Sequence, residues 1–211
     1  MSRPNLIVIL IDDMGATDLG CTGSMFYETP CLDRFAAEGV RCTDGYATSP
    51  VCSPARSSVV TGKVPARTNV TNWIPGNAVG RMFGAPYNFY LDHQHRTIAT
   101  ALKDGGYHTW HVGKWHLGGE QHQSMPTDHG FEVNIGGSHI GGVGWFPTSY
   151  FSPWVAKDGS TMPGLENEPP GRYITDRLTD EAIRLIREKP DDKPFFLHLS
   201  FWAPHPPLVP P

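Results

Sequence analysis

Pro50-Val51-Cys52-Ser53-Pro54-Ala55-Arg56 sets a thiol just ahead of a Ser-Pro pair, with an arginine four residues on and Ser57-Ser58-Val59-Val60-Thr61-Gly62 behind it. Ser53 suits an N-cap and Pro54 the first helical position, where a missing N–H costs nothing. Cys52 then stands at a helix mouth, where unpaired N–H groups and the dipole favour negative charge. Arg56, one turn on, adds a cation on the same side. The chemistry on offer is the holding of an anionic nucleophile, an anionic substrate, or both. A lone cysteine so placed also reads as a buried structural residue.

Three further groups have chemical types worth placing. Asp12-Asp13 ends an apolar run; two adjacent carboxylates there need solvent, hydrogen bonds or a cation to offset their repulsion and lost hydration. A hard ion such as Ca²⁺ suits converging carboxylate oxygens. Lys114-Trp115-His116 pairs a permanent cation with a group that exchanges protons near neutrality. The two would point the same way if extended geometry continues. His205, in Trp202-Ala203-Pro204-His205-Pro206-Pro207, lies in a loop beyond an apolar run. His93 and His95 read as exposed loop histidines, and His198 as a hydrogen-bonded core residue.

These groups need elements to position them. Asn5 to Ile11 is a continuous aliphatic run, the pattern of a strand buried on both faces of a mainly parallel sheet. Thr29 to Gly39 reads as a capped helix with Leu32, Phe35 and Ala36 on its apolar face, and Val40 to Tyr46 as a second strand leading toward Cys52. Residues 68–94 read as a long surface excursion. Thr97 to Gly106 is a helix with a glycine stop, followed by a strand from Tyr107 to Val112. Residues 118–171 read as loop, with Gly136 to Gly144 a flexible substrate-side segment lacking the ending of a phosphate-binding loop. Trp145 and Trp154 could face a sugar or aromatic substrate or simply pack. Arg172 to Glu188 is a helix with Ile174, Leu178, Ala182, Leu185 and Ile186 on one stripe, and Lys193 to Phe201 a buried strand. The alternation predicts an α/β fold, a mainly parallel sheet flanked by helices. Asp12-Asp13, Lys114-His116 and His205 each follow a strand's carboxyl end, the edge where open α/β sheets bind ligands.

Composition narrows the function classes. The 211 residues, 39% apolar and 18% charged, suffice for one good core. A net charge of −4 with scattered Lys and Arg predicts neither nucleic-acid nor membrane partners. Cys21, Cys31, Cys42 and Cys52 show no Cys-x-x-Cys spacing and are too sparse for a disulfide scaffold. The start, Met1 to Asn5, has no cleavage-site pattern, so the chain reads as cytoplasmic as written, or periplasmic or secreted if a presequence was removed.

Cys52-Ser-Pro-Ala-Arg56 with Thr61-Gly62 resembles the sulfatase signature, with Ala55 where the commonest version has serine. Pro4-Asn5 through Asp12-Asp13-Met14-Gly15, Gly113-Lys114-Trp115-His116-Leu117-Gly118 and Ala203-Pro204-His205-Pro206-Pro207 are similar to further motifs of the same family, in the same order. The resemblance implies an alkaline-phosphatase/sulfatase-like fold, with residues 1–211 as an incomplete, truncated N-terminal catalytic domain. It implies that a formylglycine-generating or anaerobic sulfatase-maturating enzyme converts Cys52 to formylglycine, whose hydrated aldehyde attacks sulfur. Asp12, Asp13 and the modified Cys52 would bind Ca²⁺, or Mg²⁺. Lys114 and Arg56 would neutralise sulfate oxygens, His205 would protonate the departing alcohol, and His116 would take the proton of the second hydroxyl. The implied activity is hydrolysis of a sulfate ester on a carbohydrate or aryl substrate. The alternatives are a phosphomonoester or phosphonate hydrolase, or an inactive metal- or anion-binding fragment. The family's remaining metal ligands and a second lysine would fall after residue 211, which predicts weak or no activity for this chain alone.

Overall fold

The computed structural model describes residues 3–76, 81, 83–190 and 193–211; Met1-Ser2 and residues 77–80 and 82 of the expected surface excursion lie outside them. The chain divides into two compact units, Met1–Asp12 with Thr48–Pro211, and Asp13–Ala47.

The larger unit is built on four parallel strands, β1 (Leu6–Leu10), β2 (His108–Gly113), β3 (Val133–Ile135) and β4 (Phe195–Ser200), in the order β1-β4-β2-β3. Its helices are α2 (Cys52–Thr61), α3 (Pro65–Thr68), α4 (Ile98–Asp104) and α5 (Ile174–Glu188), with α1 (Pro30–Glu38) in the smaller unit. Side chains alternate across a strand, and β4 shows the result. Phe195, Leu197 and Leu199 join Trp110 and Val112 of β2 against Leu178 and Leu185 of α5. Phe196 packs on the other face with Val60 of α2 and Ala99 of α4. The mainly parallel α/β fold expected from the sequence is therefore present.

Local chemistry explains the helix ends. Thr97 caps α4 by accepting the Thr100 N–H at 3.1 Å. Gly62 closes α2 at φ 67° while its N–H bonds Ser58 O at 2.8 Å. The expected cap of α2 is displaced: the helix starts at Cys52 behind an extended Val51, and Ser53 Oγ instead accepts the Ile74 N–H at 3.1 Å.

Several sequence expectations need correction. β1 is not buried on both faces: Ile7 and Ile9 are 50% and 58% exposed, because β1 is the sheet edge and α5 packs over β2 and β4. Val40–Tyr46 forms no strand, and Val40 and Tyr46 are exposed; the run holds Asp44-Gly45, a turn pair. Residues 68–94 are not all surface, since Val70, Ile74 and Leu91 enter the core beside α2. His95 is buried, with its Nδ1 3.0 Å from Lys63 Nζ. Residues 118–171 hold the short strand β3 and bury Ile140, Phe146, Tyr150 and Trp154, so Gly136–Gly144 is packed rather than open. Among the described residues no helix is long and apolar enough to cross a membrane.

The smaller unit centres on α1 and a 3₁₀ turn at Gly20–Thr22. Thr29 Oγ1 accepts the Gly20 N–H at 2.8 Å and Asp33 Oδ1 the Cys21 N–H at 2.6 Å, so the hydroxyl expected to cap α1 ties the turn down.

Gly113 sets how β2 ends. At φ 106° it takes a conformation that favours glycine, and a Cβ there would collide with Ser200 O. Gly113→Ala is expected to destabilise the chain by at least ~2 kcal/mol; urea denaturation midpoints at unchanged slope check this.

Candidate active site

Three parallel strands finish side by side and hand over to short loops. β1 delivers Asp12, whose N–H bonds Ala203 O at 3.3 Å. β2 delivers Lys114, whose N–H bonds Ser200 O, the last residue of β4, at 2.8 Å. α2 reaches the same edge through Arg56.

At this edge Lys114 Nζ donates to Asp12 Oδ2, and Arg56 Nη2 lies 3.3 Å from Asp12 Oδ1. Arg56 Nη1 also donates to Lys114 O at 2.8 Å and to Ser200 Oγ. The side chains of Lys114, Arg56 and Asp12 are 0%, 4% and 6% exposed. Burial alone would raise the Asp12 pKa, but Arg56 and Lys114 more than offset it and hold the carboxyl below its ordinary range. Lys114 releases its proton more readily than a free lysine, because burial and Arg56 outweigh Asp12 and Cys52. Two cations thus share one carboxylate, and the cluster keeps one positive charge.

Cys52, at the first position of α2, is half-buried and lies near enough to Lys114 to act on its ammonium. His205 is half-buried, donates from Nδ1 to Pro206 O at 2.7 Å, and lies near enough to Asp12 to act on its carboxyl.

His116 departs from the extended geometry expected for Lys114-x-His116. Its φ is 56°, its N–H bonds Ser138 O at 2.9 Å, and its ring Nε2 donates to Ile74 O. Burial first and Lys114 second lower its pKa to about 3. The ring is neutral, and the buried Nδ1 keeps a lone pair without a partner among the described residues. Asp13 belongs to the smaller unit, is exposed and has φ 56°.

Sequence reasoning missed several supports. Ser200 binds Arg56, and its signal was its place at the end of a strand whose alternate residues are Phe196, His198 and Ser200. The Ile74 carbonyl, which fixes His116, has no side-chain signature. Gly141 and Gly142 lie against His116 and His205, and a Cβ at Gly141 would overlap the His116 ring. Gly141→Ala is expected to turn that ring off Ile74 O and to cost about 1–3 kcal/mol. Histidine ¹⁵N spectra and a thermal melt check both.

Asp12 is the hard, ionised oxygen donor that a divalent cation prefers, yet its carboxylate is engaged by Lys114 and Arg56. Among the described residues no three His, Cys, Asp or Glu side chains converge as a metal site would require. The described donors do not by themselves complete a cation site.

A family model described as Sulfatase matches residues 4–211. Human N-acetylgalactosamine-6-sulfatase is 33% identical over 224 residues, spanning 97% of this chain and 40% of that protein. The crystal structure of Ps i-CgsB in complex with k-i-k-neocarrahexaose superposes with a TM-score of 0.77 at 28% identity, covering 98% of this chain and 46% of that one. BT4656 in complex with its substrate D-glucosamine-2-N,6-O-disulfate gives a TM-score of 0.71 at 27% identity, covering 99% and 36%. This chain therefore spans under half the length of these three proteins, and along nearly all of its own length it belongs to the sulfatase family.

Proposed function

We propose that this chain forms the anion-gripping part of a sulfuric ester hydrolase acting on a sulfated saccharide. The observation that supports it most is the surplus positive charge buried where α2 begins. Lys114 and Arg56 face a single carboxylate, Asp12, and Cys52 stands at the helix start beside them. A fixed, desolvated positive charge stabilises an ester anion and the charge that grows on it during cleavage.

Cys52 fits conversion to formylglycine by a maturating enzyme: it is half-buried, heads a ten-residue helix, and lies near Lys114. When present, that group supplies the attacking hydroxyl and, later, a second hydroxyl. The remaining roles fall to the chain's own residues. Arg56, held on Asp12, Lys114 O and Ser200, fixes the cluster. Lys114 supplies the near cation. His116 offers its free Nδ1 lone pair to the second hydroxyl, and its proton affinity rises when an anion offsets the neighbouring cations. His205 delivers a proton to the departing alcohol.

A saccharide is favoured by the relatives' named ligands and by a cavity of about 430 Å³ that shares the Ser138-His139 segment with the loop behind His116. Glu120, Gln121, Ser160 and Thr161 line it, groups that suit sugar hydroxyls.

The experiment co-expresses the chain with a formylglycine-generating enzyme, reads the Cys52 peptide by mass spectrometry, and compares catalytic efficiency on matched sulfate and phosphate esters. An aldehyde at position 52 with preference for the sulfate ester supports the reading. A persistent thiol, or preference for the phosphate ester, counts against it.

A further inference from the structure

Two neighbouring strands bury a histidine pair beneath the site. His111 on β2 and His198 on β4 are register partners, both buried, with their Nδ1 atoms 3.1 Å apart. His111 Nε2 lies 3.0 Å from Gly113 O. A carbonyl only accepts, so that nitrogen carries a proton. Burial first, then the nearby His198 ring and the Arg56 cation, keep His111 well below its ordinary pKa and therefore neutral.

A neutral ring has one N–H, so His111 Nδ1 accepts and His198 Nδ1 donates. His198 is neutral for the same reasons, its pKa lowered to about 3 by burial and by Arg56. Its Nε2 is then a bare lone pair, buried without a partner among the described residues. The Nε–H of Arg56 is likewise buried without a partner among the described residues. His198 and Ser200, two residues apart on β4, point to the same face, and Arg56 already bonds Ser200 Oγ. A buried donor and a buried acceptor left open on one face are the setting that ordered water fills in folded proteins.

We propose that one ordered water, accepting the Arg56 Nε–H and donating to His198 Nε2, ties the histidine pair to the guanidinium and makes His198 and His111 positioning residues for Arg56. With Nη1 on Lys114 O and Ser200, Nη2 on Asp12 and Nε tied to His198, the guanidinium is held from three sides and cannot leave Asp12 for a bound ester. The consequence for turnover rests on the proposed function; the tie itself does not.

The test combines histidine tautomers from ¹⁵N NMR, hydrogen exchange of the Arg56 Nε–H, and two variants. In the unsubstituted chain His198 should carry its proton on Nδ1, His111 on Nε2, and the Arg56 Nε–H should exchange slowly. His198→Phe, which lacks the acceptor, should lose that protection. His198→Gln, whose amide oxygen can replace the lone pair, should restore it. In matured protein, catalytic efficiency on a sulfate ester should fall about tenfold in His198→Phe and recover in His198→Gln. A proton on His198 Nε2, or an Arg56 Nε–H that exchanges fast in the unsubstituted chain, overturns the proposal even where His198→Phe does not fold. The expected tautomers and protection without any ester hydrolysis support the tie and count against the functional reading instead.

Discussion

Asp12→Ala is expected to destabilise the chain by about 3–5 kcal/mol, because it strands two buried cations without a counter-charge. A domain of this kind is held by roughly 5–15 kcal/mol in all, so the loss takes a large share of that margin. The cause is local. Lys114 is fully buried with its ammonium on Asp12, and Arg56 is nearly so. Lys114→Met in the Asp12→Ala background removes one stranded charge and should return part of the loss, giving a coupling of roughly 1–3 kcal/mol in a double-mutant cycle of urea unfolding. A single-variant loss within about 0.5 kcal/mol, the range of ordinary surface changes, would show that the cluster is not buried as described. The pH dependence has a definite sign. Asp12 titrates below its ordinary value of 3.8 in the folded chain, so its contribution is fully present above that value and is lost as pH falls through the depressed folded pKa.

The same cluster shows what the sequence could and could not reveal. Apolar runs and glycine stops located β1, β2, β4, α4 and α5, because burial imposes those periods on the residues themselves. β3 was invisible: three residues, Val133–Ile135, are too few for a period and form a strand only because the β2 edge is there to pair with. Val40–Tyr46 failed in the opposite way, since a strand-like composition forms no strand without pairing. Residues 118–171 looked like loop and are irregular in backbone, yet they carry Phe146, Tyr150 and Trp154 into the core. Their apolar residues answer to tertiary packing rather than to any repeat.

At the site, residue types were legible and partners were not. The charges of Asp12, Arg56 and Lys114 follow from their names, and strand ends placed two of them together. That Arg56 spends its Nη atoms on Asp12, Lys114 O and Ser200 depends on how α2 lies across the sheet, which local spacing does not encode. His116 is the sharpest case. Lys114-x-His116 suggested two side chains facing one way, but Gly113 and His116 both have positive φ and turn the chain between them. His116 therefore points its Nε2 at Ile74 O, from a segment read as surface.

Where matured protein turns over a sulfate ester, Cys52→Ser, produced without a maturating enzyme, is expected to complete one turnover and then stop, lowering steady-state kcat by about ten-thousand-fold or more. The hydroxyl keeps its place at the head of α2, where the surplus charge of Lys114 and Arg56 still draws an ester anion. Serine Oγ can attack sulfur, its proton leaving as the new O–S bond forms, while the bond from sulfur to the alcohol oxygen breaks and that oxygen is protonated. The product is a serine sulfate ester. Release from a carbon bearing two oxygens needs only loss of a proton from the second hydroxyl, the step given to His116 Nδ1. Serine has no second hydroxyl, so its ester waits for water to attack a sulfur shielded by its own anionic oxygens. One equivalent of alcohol per chain, and a sulfate adduct on the peptide containing residue 52, are the expected readouts. Sustained turnover by a homogeneous preparation at the matured rate would remove the nucleophile from position 52 and leave the buried positive cluster without the reaction proposed for it.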